Sequence, residues 1–259
     1  MEKPKNIQYH YFTFPIVLLK ILHEDHRSFA DKAICWTVYN YAETKLHGLP
    51  ESERVQMALS KYGVETENLA GWIRYAKRIH KDMEGSKVMT SIEKRTLFDF
   101  LENDKSDAEV DELLGFAALR SIIGTKTYCR ITENYWLSRM AGEERTVKDL
   151  DQLPDRIKRL SSEYQLKKLK RRLRDHWHLK YYGRYTRGWY ATFKPDKDFP
   201  LERLIEKVEL KRKSNLEKKY REDQKTAVRN VLRKIWGTPN TTTPRPIKEQ
   251  IAWRPLHDL

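Results

Sequence analysis

The stretch LKKLKRRLRDHW, residues 166–177, constrains the fold of this chain more than any other. Leu166, Leu169, Leu173 and Trp177 recur at i, i+3, i+7 and i+11, a single stripe of an α-helix that needs a core to cover it. Lys167, Lys170, Arg171 and Arg174 recur at i, i+3, i+4 and i+7 on an adjoining face. One side is expected to pack and the other to bind. A helix that was merely solvated would alternate charge sign, since each Glu/Lys pair contributes about 0.2–0.5 kcal/mol. Here no acid stands between Glu163 and Asp175. Seven Lys/Arg between residues 167 and 180 repel one another unless something negative neutralises them.

The charge balance points the same way. The formal net charge is +14, but residues 158–194 hold 12 Lys/Arg against Glu163 and Asp175, whereas the remainder carries 39 against 35. Clustered cations gain affinity by releasing counterions condensed on phosphates, so the partner expected is nucleic acid. Within the cluster, Lys168, Arg172, Lys180, His176 and His178 are expected at phosphates. An acidic membrane surface would require an apolar face exposed to lipid, and here the leucines are needed for a core. FPIVLLKIL is interrupted by Lys20 and followed by HEDHR, which fits neither a spanning helix nor a secretory signal. The expected location is cytoplasmic, with no membrane partner.

Several kinds of chemistry find no support. Cys35 and Cys129 form no CxxC pair and are expected as ordinary buried thiols, with no disulfide framework and no zinc spacing. No catalytic triad, GxxxxGK[ST] segment or dinucleotide fingerprint is present, so no enzyme activity, catalytic residue, metal or cofactor is assigned.

Along the chain the pattern is mainly helical. Residues 1–98 read as an N-terminal helical domain: an aromatic arm (YHYFTF, 9–14), then IVLLKIL, then FADKAICWTVYNYAETK. ESERVQMALSKYG and VETENLAGWIRYAKRIH form a helical pair, capped in its second member by Thr66, whose outline over residues 51–80 is that of an ordinary helical hairpin or of a second helix-turn-helix. Residues 99–106 read as an acidic linker, and Ser106 with Glu109 has capping-box spacing. From 107 to 198 the order is a helix (DELLGFAALRSIIG), a short strand (TKTYCRI), a helix capped by Thr132 (ENYWLSRMAG), the basic helix capped at Ser162, and a hairpin. Residues 199–237 read as C-terminal helices expected to pack back on the winged domain, with self-association as the alternative, and 238–259 as a flexible Pro-rich tail whose Ile251, Trp253 and Leu256 suggest a docking motif. A homodimer or another protein partner is expected through residues 199–259.

The hairpin strands alternate, with GRYTRG between them. That order, carried by AALRSIIG, YCRIT, ENYWLSRMAG, QLKKLKRRLRDHW and HLKYYGRYTRGWYATF, resembles the winged helix-turn-helix family over residues 107–194. The resemblance implies a recognition helix in the major groove, carrying Lys167, Lys170, Arg171 and Arg174. It also implies a wing on the backbone or in the minor groove, carrying Arg184, Arg187, Tyr182 and Tyr190. The connection from Gly142 to Ser161 is longer than the turn usual in the family. With a second helix-turn-helix, the chain would look like the tandem winged-helix initiators of plasmid and phage replication. The expected function is therefore binding of duplex DNA, as a replication-initiator-like or transcription-regulatory factor, with a mobile element as one setting.

Three other readings stay open. His176-Trp177-His178 matches the His-hydrophobe-His pattern of the HUH endonucleases, in which the two His bind a metal and a Tyr attacks a DNA phosphodiester; Tyr164, Tyr181, Tyr182 and Tyr185 are the candidates. That reading needs a strand, because on a helix side chains at i and i+2 diverge by about 200°. Aromatic residues interleaved with the basic stretch suit an RNA or single-strand binder. A structural adaptor would bind no nucleic acid at all.

Overall fold

The computed structural model of the chain describes residues 11–183 and 188–236. It is mainly helical, 66% helix, with two small antiparallel sheets. No helix among the described residues is long and apolar enough to cross a membrane. Residues up to Ile205 form one compact unit and those from Glu206 a second.

The first unit begins with a strand where the sequence suggests an arm. Phe12 and Phe14 are buried and Tyr11 and Thr13 exposed, the period-two pattern of β1 (Tyr11–Pro15). It pairs antiparallel with β2 (Met89–Glu93), setting Phe12 opposite Ile92 and Phe14 opposite Thr90. A short α1 (Leu19–Leu22) leads to α2 (His26–Lys45), whose N-terminus is capped by the Asp25 carboxylate accepting from the Arg27 and Ser28 amides. Ten residues of α2 are buried, because α3 (Glu51–Tyr62), α4 (Leu69–Asp82), α5 (Lys94–Glu102) and β1 all pack around it. The predicted pair at 51–80 is thus α3 and α4. Its cap is Asn68 instead of Thr66: the Asn68 side chain accepts from Gly71 N–H at 2.9 Å, while Thr66 Oγ1 accepts from Asn68 N–H at 3.3 Å.

The acidic stretch 99–106 does not form the expected linker. Residues 99–102 are the last turn of α5, and Ser106 and Glu109 make a complete capping box at the start of α6 (Asp107–Ile123). Thr90 of β2 donates to Ala117 O of α6 at 2.7 Å, and one hydrophobic core runs from Phe12 to Ala191. The apolar faces on either side of residues 99–106 cover each other, so no boundary opens there.

After α6 come β3 (Cys129–Ile131), α7 (Glu133–Met140), α8 (Asp155–Leu160), α9 (Glu163–Trp177), β4 (Lys180–Tyr182) and β5 (Trp189–Thr192). The second sheet has the order β3-β5-β4, with Ile131 opposite Trp189 and Tyr181 opposite Ala191. Thr132 and Ser162 cap α7 and α9, as their spacing predicts. The long connection from Gly142 to Ser161 contains the additional helix α8. Arg156 holds it on α6, donating to Asp107 and, at 3.0 Å, to Asp111. Gly115, inside α6, lets α9 approach closely: a Cβ there would lie 3.2 Å from both Leu169 and Leu173. Beyond Pro200 the sequence forms one continuous helix, α10 (Leu201–Trp236), in place of several. Residues 238–259, with Ile251, Trp253 and Leu256, lie outside the described residues.

Candidate nucleic-acid interface

α9 realises most of the pattern in LKKLKRRLRDHW. Leu166, Leu169 and Leu173 are buried, and Trp177 stacks on Phe116 with ring centroids 4.2 Å apart. Lys167, Lys168, Arg171 and Arg174 are exposed. Lys167 pairs with Glu163 at 2.7 Å and Arg174 Nε with Asp175 at 2.9 Å. Both pairs are solvated, so each contributes a few tenths of a kcal/mol and yields easily to a phosphate. Lys168 and Arg171 have no ion pair among the described residues.

Lys170 departs from expectation. Its side chain is only 11% exposed, and it pairs with Glu133 at 3.2 Å. Its ammonium lies 4.7 Å from the Trp189 ring centroid and 5.9 Å from that of Trp136. The reason lies in its spacing: Lys170 is i+4 from Leu166, i−3 from Leu173 and i−7 from Trp177, which puts it inside the apolar stripe. It therefore leaves the outward set of recognition-helix residues.

Other assignments change as well. Arg172 turns toward α6, with Nε 3.8 Å from Glu112, and Lys180 is taken up by Asp196 at 2.9 Å and by Phe199 O at 2.6 Å. Neither is set out toward solvent as a phosphate contact. Tyr182 and Tyr190 face each other across β4 and β5 and are half-buried, with Tyr190 6.2 Å from Tyr128. Arg184, Arg187 and Tyr185, on which the wing and part of the nuclease reading rest, lie outside the described residues.

The His pair does not sit on a strand. His176 is in the last turn of α9, and His178 closes that helix in the left-handed conformation at φ 55°. The strand that the nuclease reading requires is therefore absent at the triplet, although both imidazoles line one pocket of about 580 Å³ together with Glu112. Nor does any group of three His, Cys, Asp or Glu among the described residues stand ready to hold a metal ion.

His176 Nδ1 instead lies 2.8 Å from the Glu112 carboxylate, which also accepts from Trp177 Nε1 at 3.4 Å. The hydrogen bond to Glu112 and its charge raise the His176 pKa above the ordinary 6.5. With the folded value raised, the contact is fully formed below about pH 6.5 and is lost as pH rises through the folded pKa. The side chain is 63% exposed, so the effect on stability is small and titration is the better readout. The His176 imidazole is expected to titrate above 6.5 in NMR, and Glu112→Gln to bring it back; an unmoved midpoint would exclude the pairing. Glu112 has no local sequence signal, since it is 64 residues from His176 among other acids of DELLGF.

Between α9 and the hairpin lies a groove of about 630 Å³. Lys167, Lys168, Lys170, Arg171 and Arg174 line one wall, with Tyr164 at the same helix face; Tyr181, Gly183 and Trp189 line the other. No carboxylate lines it among the described residues. Comparison of the chain with family models, with curated proteins and with solved structures finds no match.

Proposed function

We propose that this chain binds nucleic acid, with duplex DNA as the first partner, through the exposed face of α9 and the groove beside it. The observation that carries the reading is the convergence of five Lys/Arg side chains on a groove with no acid among its described lining residues. Lys167, Lys170 and Arg174 already have carboxylate partners. The gain on binding phosphate therefore comes from counterion release, from Lys168 and Arg171, and from exchange of the solvated pairs of Lys167 and Arg174. The order α6, β3, α7, α9, β4, β5, with the hairpin antiparallel to β3, supports a winged helix in which α9 enters the major groove. Under this reading α8 is an insertion between the two helices of the motif. Arg171 and Arg174 are the base-edge and backbone readers, Lys167 and Lys168 backbone contacts. The role proposed for such duplex binding is that of an initiator-like or transcription-regulatory factor. A second reading, single-strand or RNA binding, is favoured by Tyr164, Tyr181 and Trp189 in the groove lining, since bases stack on such rings.

Salt titrations on duplex DNA, single-stranded DNA and RNA test the two together. Duplex affinity is expected to fall steeply with salt. Arg171→Ala with Arg174→Ala is expected to reduce the log–log slope by roughly 2 and to weaken binding about 10- to 100-fold at low salt. Unchanged duplex binding by the double variant would remove α9 from the interface. A clear preference for single strands would favour the second reading.

A further inference from the structure

Trp189 lines the basic groove, is 4% exposed, and carries an indole Nε1–H that is shielded from solvent and has no acceptor among the described residues. Buried donors in folded proteins mostly have a partner, and among the buried side-chain atoms without one in the described residues, Trp189 Nε1 is the one that belongs to a residue lining the basic groove. The Lys170 ammonium stands 4.7 Å from the same ring, mostly buried, where its charge is less screened than that of its exposed neighbours. Its partner Glu133 is about half exposed and does not line the groove. Gly183 adds to the close fit: a Cβ there would lie 3.2 Å from Trp189 Cβ.

We propose that the groove wall holds a phosphate subsite, opened on binding, in which Trp189 Nε1–H and the Lys170 ammonium donate to the oxygens of one phosphate group of a nucleic-acid strand. The proposal rests on the nucleic-acid reading of the groove and deepens it: Lys170 becomes the floor of a phosphate site instead of a reader of base edges. Arg171 and Lys167 supply charge at the rim, and a hydrogen bond from a neutral indole adds a directional donor that a flexible lysine lacks. Because Nε1 is shielded in the free protein, uptake involves a shift in the groove wall, where Tyr181 meets Trp189 edge-on at 5.9 Å.

The test uses the full chain and inorganic phosphate as the probe, followed through the indole N–H resonances of its seven tryptophans. One of them, that of Trp189, is expected to move downfield and saturate. Trp189→Phe, which keeps an aromatic ring beside Lys170 but removes the N–H donor together with part of the indole, and Lys170→Met, which keeps the stem, are each expected to weaken phosphate binding by roughly tenfold. Should Trp189→Phe fail to fold, sequential assignment of the unaltered protein identifies the shifting resonance, and Lys170→Met supplies the affinity arm. No saturable shift, a shift at another tryptophan only, or unchanged affinity in both variants would overturn the subsite. Duplex binding with no Trp189 shift would dispose of the subsite and leave the duplex reading standing. A Trp189 shift with inorganic phosphate but no binding of any nucleic acid would do the reverse, pointing to a free phosphate or phosphomonoester as the ligand.

Discussion

Trp136→Ala is expected to destabilise the protein by about 3–5 kcal/mol and, under the proposed function, to weaken nucleic-acid binding with it. Trp136 is fully buried and its Nε1–H donates to Gly115 O at 3.1 Å. The ring meets Trp189 edge-on at 5.3 Å and lies beneath the Lys170 ammonium. It therefore joins α7 to α6, to the sheet and to the basic helix at one point. Removing it leaves a cavity bordered by four elements and a backbone carbonyl without its donor, the two costs that make large-to-small core changes severe. Chemical denaturation of the variant would measure the first effect, and salt-dependent binding after refolding at low temperature the second. A loss under about 1 kcal/mol would mean that the rings are not the point at which these elements meet.

Gly188→Ala is expected to be the next most damaging change, costing about 3 kcal/mol or more. Gly188 has φ +101°, a conformation that L side chains rarely adopt, and a Cβ there would stand 2.3 Å from Ile131 O. The residue precedes Trp189, which pairs with Ile131, so relief requires β3 and β5 to part where the sheet meets the groove. The expected signature is a lowered melting temperature and, under the proposed function, weaker duplex binding, since Trp189 and the hairpin wall move with the strand. Gly183→Ala is a useful comparison, because its Cβ would meet Trp189 Cβ at 3.2 Å without a backbone clash of this size. If Gly188→Ala proved no worse than Gly183→Ala, strain at this turn would not be what holds the register.

Local periodicity and capping carried much of the helical outline. The leucines of α9, the capping box at Ser106 and Glu109, and the caps at Thr132 and Ser162 depend on residues within a few positions of each other, so their interactions are visible in a single stretch of chain. The β1–β2 pair was not legible in the same way. Its partners are 74 to 82 positions apart, and nothing in YFTFP alone names MTSIE as the strand that satisfies its backbone. The acidic run 99–106 misled for a related reason: high charge suits a linker, but it equally suits a helix end and the cap of the next helix when apolar residues on both sides share one core.

For the candidate site, residue types and spacing established that one helix must bury leucines and present an excess of positive charge, because 3.6-residue periodicity leaves no other way to cover them. Which of those charges remain available was settled by packing across the chain. Lys170 is taken in by Trp136, Trp189 and Glu133, Arg172 and His176 turn to Glu112, and Lys180 goes to Asp196, each partner lying at least 16 positions away in sequence. A side chain reaches whichever opposite charge or aromatic face the fold sets within a few ångströms, and those distances exist only once the elements have come together.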